Sequence, residues 1–352
     1  MRRAVFFAPG FDPRDPAYYH RVLAREGAGR LTAGPVERAG DRVFWEMAGA
    51  GVALRLEVLR HDREVAAALS GPGWARLADG ALWACEMWRE GRFGPRGPGT
   101  RGQRRLFRYP VWASLASMVL AVGLLALLAS ALATLGGPDL VAPAAAAGPL
   151  VAVWRAGRWN AWLYHLFFFG MWRAFQRIAE GRAPEFDAAN RAAAARVAEA
   201  AADADEVWVI GHSLGAARAA EVVAALPEGT GAALLTLGSV RGVLACWAGP
   251  GSVALDAAEA ACGARAGLSW LDVGWRGDPF AAGPAPPATL RITERSRFAA
   301  GPIFQPRRPP RPLRRHLGYL MAPEAGPFDL YRMLADPRPV ASQLAELRRA
   351  AG

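Results

Sequence analysis

The chain has 352 residues, a formal net charge of +11 and a hydrophobic fraction of 53%. That apolar fraction argues against a disordered chain, three cysteines argue against a disulfide framework, and the length suits two domains or one large α/β domain with an insertion. All 42 basic residues are arginine. No binding mechanism requires lysine to vanish, so the bulk charge reads as a composition bias toward Arg, Ala, Gly and Pro.

Val5–Ala8 reads as a short buried strand ended by Pro9-Gly10. This run is too short for a signal-peptide core. Asp15 and Pro16 look like an N-cap and first helical position, opening a helix to about Gly27. Strands are expected at Val43–Met47 and Val52–Leu59, the second partly alternating. A helix follows from Asp62 to Glu90, broken near Gly71-Pro72-Gly73. Residues 1–90 would form the first part of the core, and Gly94–Gly102 a Gly/Pro/Arg linker.

Residues 91–182 combine that basic linker with two apolar runs. Val111–Leu135 is 25 residues without a charged side chain. At about 1.5 Å per residue it is long enough for a hydrocarbon core of roughly 30 Å. Tyr109 and Trp112 would sit at its interface; a fully buried core helix is the alternative. Leu140–Trp154 is shorter and holds Pro143 and Pro149, so a hairpin of spans near 110–135 and 138–156 competes with a re-entrant segment. Seven arginines between Arg89 and Arg108, with Arg155 and Arg158 behind, would keep both flanks cytoplasmic. The expected location is therefore the inner membrane, multi-pass, with membrane lipids among the partners. The aromatic stretch Trp159–Trp172 reads as an interfacial or a core helix.

Residues 183–352 alternate again: helix Pro184–Ala202, strand Glu206–Ile210, helix Gly215–Leu226, strand Ala232–Leu237, a helix near Val253–Ala261 and strand Leu268–Val273. This order predicts an α/β fold with a mostly parallel sheet flanked by helices. Cys85, Cys246 and Cys262 read as small buried residues. No Cys/His cluster has metal-ligand spacing, and no glycine-rich dinucleotide fingerprint follows a strand, so neither a metal nor a cofactor is expected.

The strongest motif is Gly211-His212-Ser213-Leu214-Gly215, after a predicted strand and opening a predicted helix. That is the context of a G-x-S-x-G nucleophile elbow, where flanking side chains would clash and the helix N-terminus favours a developing negative charge. The segment resembles the α/β-hydrolase superfamily, especially its lipase-like members with G-H-S-L-G. Leu235-Thr236-Leu237-Gly238-Ser239 is similar to the T-x-G-S segment of class 3 lipases. The resemblance covers residues 1–70 and 184–335.

The family order is Ser, then Asp or Glu, then His. It implies Ser213 as nucleophile and His316, the only later histidine, as general base. The acid would lie after the strand Leu268–Val273, at Asp278, with Asp272 second. For the oxyanion hole the resemblance implies the N–H of Leu214 and that of Phe11, in a Pro9-Gly10-Phe11 loop with proline where histidine is usual. The expected function is a membrane-anchored serine hydrolase, esterase- or lipase-like, cleaving a carboxylic ester through an acyl-serine. The main alternative is a non-catalytic membrane protein using the same fold for binding or scaffolding. A nucleic-acid or anionic-ligand binder using Arg307, Arg308, Arg311, Arg314 and Arg315 is third; no nucleic-acid partner is expected.

Overall fold

A computed structural model describes residues 1–94, 97–136, 164–247, 249–283, 290–293 and 311–351. The chain divides into two compact units, Met1–Ala67 with Phe175–Pro302 and Pro312–Gly352, and Ala68–Ala174 with Ile303–Arg311.

The first unit holds one mixed sheet. Its strands are β1 (Arg2–Ala8), β2 (Thr32–Ala33), β3 (Glu37–Ala39), β4 (Arg42–Gly49), β5 (Val52–Val58), β6 (Glu206–His212), β7 (Ala233–Leu237), β8 (Ser269–Val273) and β9 (Leu290–Ile292). The spatial order is β2-β4-β5-β1-β6-β7-β8-β9, with β3 also on β4. From β5 through β1 to β9 the neighbours run parallel, whereas β4 pairs antiparallel with β2, β3 and β5. Composition explains this split. β1, β6 and β7 are near-continuous apolar runs, as strands covered on both faces must be. β5 buries Leu54 and Leu56 while exposing Ala53 and Arg55, as a half-covered strand does.

The helices in chain order are α1 (Ala17–Glu26), α2 (Asp62–Ala68), α3 (Gly73–Arg89), α4 (Arg101–Gly136), α5 (His165–Ala179), α6 (Pro184–Ala200), α7 (Leu214–Ala224), α8 (Arg241–Leu244), α9 (Pro250–Ala264), α10 (Arg311–Leu317), α11 (Leu330–Ala335) and α12 (Val340–Ala351). Those of the first unit flank the sheet, and α3, α4 and most of α5 belong to the second unit. Asp15 caps the first turn of α1, accepting from the Ala17 N–H at 2.8 Å. Ala193, Ala194 and Val197 of α6 and Ala219, Ala220 and Val223 of α7 join Phe6, Val207, Val209 and Leu234 in one core cluster. Alanine at these contacts lets the helix backbones lie close to the strands.

In the second unit, α4 begins at Arg101, inside the predicted linker. Its first turns pack as protein core: Phe107 meets Trp172 edge-on at 4.9 Å, and Tyr109 meets Phe168 at 5.4 Å. The described part of the aromatic stretch is likewise core, with Phe168 and Trp172 fully buried. The expected multi-pass inner-membrane location is therefore corrected. Among the described residues no helix is long and apolar enough to cross a membrane, and the inserted hairpin has no support there. Tyr109, placed at an interface by the sequence reading, has a protein ring as its partner instead. The second arm, 138–156, lies outside the described residues.

His165, also in this unit, is fully buried and neither ring nitrogen has a hydrogen-bond partner. Burial, then the charge of Arg76, push the imidazole down to about 4. Its folded value lies below the unfolded one near 6.5, so stability is lost as pH falls from there toward 4, by about 3 kcal/mol in all. His165→Leu removes both the unpaired nitrogens and this acid sensitivity. It is expected to raise Tm at pH 7, and to widen that advantage in melts below pH 6. A constant difference from pH 7 to pH 4.5 would refute the assignment.

Candidate active site

Parallel strands place their C-terminal ends along one edge of the sheet, where α/β proteins gather ligand-binding loops. Here that edge carries Pro9-Gly10-Phe11 after β1, Ser213 after β6, Gly238-Ser239 after β7 and the Asp278 loop after β8. Ser213 joins β6 to α7 at φ 60° and ψ −122°. A non-glycine residue seldom adopts positive φ, and such a residue has to be held there by its surroundings.

The surroundings supply the hold. The Ser213 N–H donates to the Leu237 carbonyl at 2.9 Å. A Cβ on Gly215 would sit 2.0 Å from the Ala8 carbonyl oxygen, and one on Gly211 would sit 2.2 Å from that of Gly215. Only glycine lets strand, turn and helix close on one another here. The loop after β1 touches the serine directly: a Cβ on Gly10 would lie 2.8 Å from Ser213 Cβ. Phe11, next in that loop, is buried, with its ring edge-on to Phe175 at 5.7 Å. Leu214 opens α7, at a position whose N–H has no intrahelical acceptor.

The other predicted residues meet in pairs. His316, in α10, donates from Nδ1 to Asp278 Oδ2 at 2.8 Å, and both side chains are buried. Tyr319 Oη donates to the same oxygen at 2.9 Å and accepts from the Trp275 N–H at 2.9 Å. The Phe280 N–H donates to Asp278 Oδ1 at 3.0 Å. Three donors thus fix the carboxylate, as a buried charge requires. The phenol of Tyr319 titrates well above its usual range, through burial and the Asp278 charge. Its ring stacks on Trp275 at 3.9 Å.

Asp272, the second candidate acid, is engaged elsewhere. It accepts from Thr236 Oγ1 at 2.8 Å and pairs with Arg291 at 3.3 Å. Burial holds its carboxyl above the usual range. One expected link is not formed: His316 Nε2 is buried and makes no hydrogen bond, to Ser213 or to any other described residue.

Several participants escaped the sequence reading. His212, beside the serine, donates from Nε2 to the His316 carbonyl at 3.0 Å, and its ring lies 5.1 Å from that of His316. Burial and the neighbouring His316 push His212 down to about 3, so it stays neutral. Tyr319 sits three positions after His316, a spacing that places it one turn on and offered a local signal. His61 and Arg218 offered none, because they are 157 positions apart and meet only in the fold. A cavity of about 260 Å³ lies beside α7, lined in part by Leu214, Leu244, Leu255, Arg218 and Glu221. Among the described residues no group of three or more His, Cys, Asp or Glu side chains is placed to hold a metal.

Comparison with protein families, with curated proteins and with solved structures gives no match.

Proposed function

We propose that the chain is a serine hydrolase with an α/β-hydrolase-like core, cleaving carboxylic esters through an acyl-serine intermediate. The observation that carries this reading is the strained turn at Ser213, on the same sheet edge as the buried His316–Asp278 pair. A serine is rarely held at positive φ for packing alone. A strand-to-helix turn of this kind presents Oγ at the sheet edge and puts N–H groups of a helix start beside it.

In the proposed reaction Ser213 Oγ attacks the ester carbonyl carbon and its proton passes to His316 Nε2. The N–H groups of Leu214 and Phe11 stabilise the oxyanion. Collapse expels the alcohol, which takes the proton from Nε2. Water then attacks the acyl carbon, gives a proton to Nε2, and the proton returns to Oγ as the acid leaves. Asp278 holds the Nδ1–H tautomer, leaving Nε2 free to accept, and stabilises the imidazolium. Catalytic hydrogen bonds of this kind are often long until substrate binds and tighten in its complex, so the proposal does not require the Ser213–His316 bond beforehand.

Fluorophosphonate labelling tests the proposal. The wild-type protein is expected to label at Ser213, and Ser213→Ala and His316→Ala to abolish or nearly abolish it. Labelling that survives Ser213→Ala would overturn the hydrolase reading. A folded wild-type protein that never labels would favour a binding or scaffolding role on the same fold.

A further inference from the structure

Behind the loop after β1 lies a chain of buried polar groups that the proposed reaction does not use. His61, in the turn between β5 and α2, has no exposed surface. Its Nε2 is 2.8 Å from the Gly10 carbonyl oxygen. Its Nδ1 meets a guanidinium nitrogen of Arg218, in α7. Arg218 is buried too, and its Nε donates to Asn190 Oδ1 at 2.7 Å. Asn190, in α6, in turn donates to Glu221.

The direction of these bonds is dictated by chemistry. A guanidinium carries donors and no acceptor. His61 Nδ1 must therefore accept from Arg218, and the neutral ring's one proton must sit on Nε2. That proton is donated to Gly10. An imidazolium at this place would turn an N–H against the arginine. A peptide unit is planar, and a trans peptide sets its carbonyl and its N–H on opposite sides. No cis peptide occurs among the described residues. Anchoring the Gly10 oxygen therefore also sets the direction of the Phe11 N–H.

We infer that His61 is a positioning residue for the oxyanion hole: with its tautomer set by Arg218, it locks the Gly10–Phe11 peptide so that the Phe11 N–H is held in place before substrate arrives. This rests on the proposed hydrolase chemistry, in which the Phe11 N–H receives the oxyanion. The anchor persists across working conditions. Burial, then the Arg218 charge, push His61 down to about 3. The guanidinium, lowered by burial to about 10, stays charged below that. A preorganised donor costs no reorientation as charge develops on the substrate oxygen, which is where its catalytic value lies.

The test compares wild type, His61→Leu, His61→Gln and Ser213→Ala on a p-nitrophenyl ester, with phenylboronic acid as a tetrahedral probe. Losing one oxyanion donor costs roughly 100- to 1,000-fold in kcat. Misdirecting one in His61→Leu is expected to cost about 10- to 100-fold, with KM nearly unchanged and boronate affinity falling in step with kcat/KM. His61→Gln, which offers Gly10 an N–H and Arg218 an oxygen, is expected to restore most of the loss. The midpoint of the pH–rate profile should not move, because His316 is intact. An unchanged kcat in His61→Leu, or a loss confined to KM, would overturn the inference. Turnover that survives Ser213→Ala would instead overturn the hydrolase reading, and this inference with it. Should His61→Leu not fold, long-range 1H–15N correlation on the wild type decides. An Nε2–H neutral ring at His61 is expected, and an Nδ1–H ring or an imidazolium refutes it.

Discussion

Asp278→Asn is expected to lower ester turnover by about four orders of magnitude, as it does where a triad aspartate sets a histidine tautomer. Asp278 Oδ2 receives both the His316 Nδ1–H and the Tyr319 hydroxyl. An amide there can offer Nδ2–H to the ring, which turns Nδ1 into the acceptor. The proton then sits on Nε2, and the base can no longer take one from Ser213. The Phe280 N–H still holds Oδ1, while Tyr319, which donated to the replaced oxygen, must turn its hydroxyl and accept the second N–H instead, so a modest loss of stability of about 1 kcal/mol is expected. Asp272→Asn is the comparison. That carboxylate is bound to Thr236 and Arg291, so its loss is expected to cost stability and to leave kcat within a few-fold. Steady-state kinetics on the two variants decides between them, and the reverse pattern would transfer the acid role to Asp272.

The second large effect is expected at Gly215. An alanine there would place its Cβ 2.0 Å from the Ala8 oxygen and 2.4 Å from the Pro9 oxygen. Neither is the end of a flexible side chain. Ala8 is fixed in the β1–β6 ladder opposite Gly211. Relief requires α7 to move away from β1, loosening the core cluster that Ala219 and Ala220 share with Phe6 and Ala8. Overpacked cores lose about 1–3 kcal/mol and sometimes more. With backbone atoms as the obstacle, a loss of roughly 3 kcal/mol or more is expected, which is about 4 °C or more in Tm for a chain of this size. Fluorophosphonate labelling should fall as well, since the Pro9 carbonyl leads into the Phe11 loop. Gly231, with nothing within 4 Å of an added Cβ, serves as control: Gly231→Ala is expected to change stability by no more than about 0.5 kcal/mol. A Gly215→Ala protein that melts and labels like wild type would refute the packing argument.

Much of the site was legible in the sequence because its signals are local. Val207–Ile210, Ser213 and the glycines around it occupy nine consecutive positions, and strand, turn and helix can be read from them together. Asp278 could be nominated because the family resemblance puts the acid after a strand, and Leu268–Val273 reads as that strand. The inward chain of His61, Arg218 and Asn190 was illegible for the opposite reason. Each residue alone is an ordinary polar side chain, and only the close approach of α6, α7 and the β5–α2 turn makes them partners. The strands β2, β3 and β9 are two or three residues long, too short to show any period. The membrane reading failed on another point. An uncharged run reports composition and not surroundings: Phe107 and Tyr109, just ahead of it, meet rings of α5, whereas Trp112, Met118 and Val119 within it are exposed.

The position of β1 has a consequence for the order in which the molecule becomes itself. This strand lies between β5 and β6, and its register pairs Arg3 with Leu54 on one side and with Glu206 on the other. The first pairing closes a loop of about 50 residues and the second a loop of about 200, with a correspondingly larger entropy to overcome. Non-local pairings of this kind are slow to form. The loop after β1 is thus made early, while the serine it touches and the histidine–aspartate pair arrive from far along the chain. On this ordering the β1–β5 pairing is expected to form before the sheet edge that carries Ser213, Asp278 and His316 is complete.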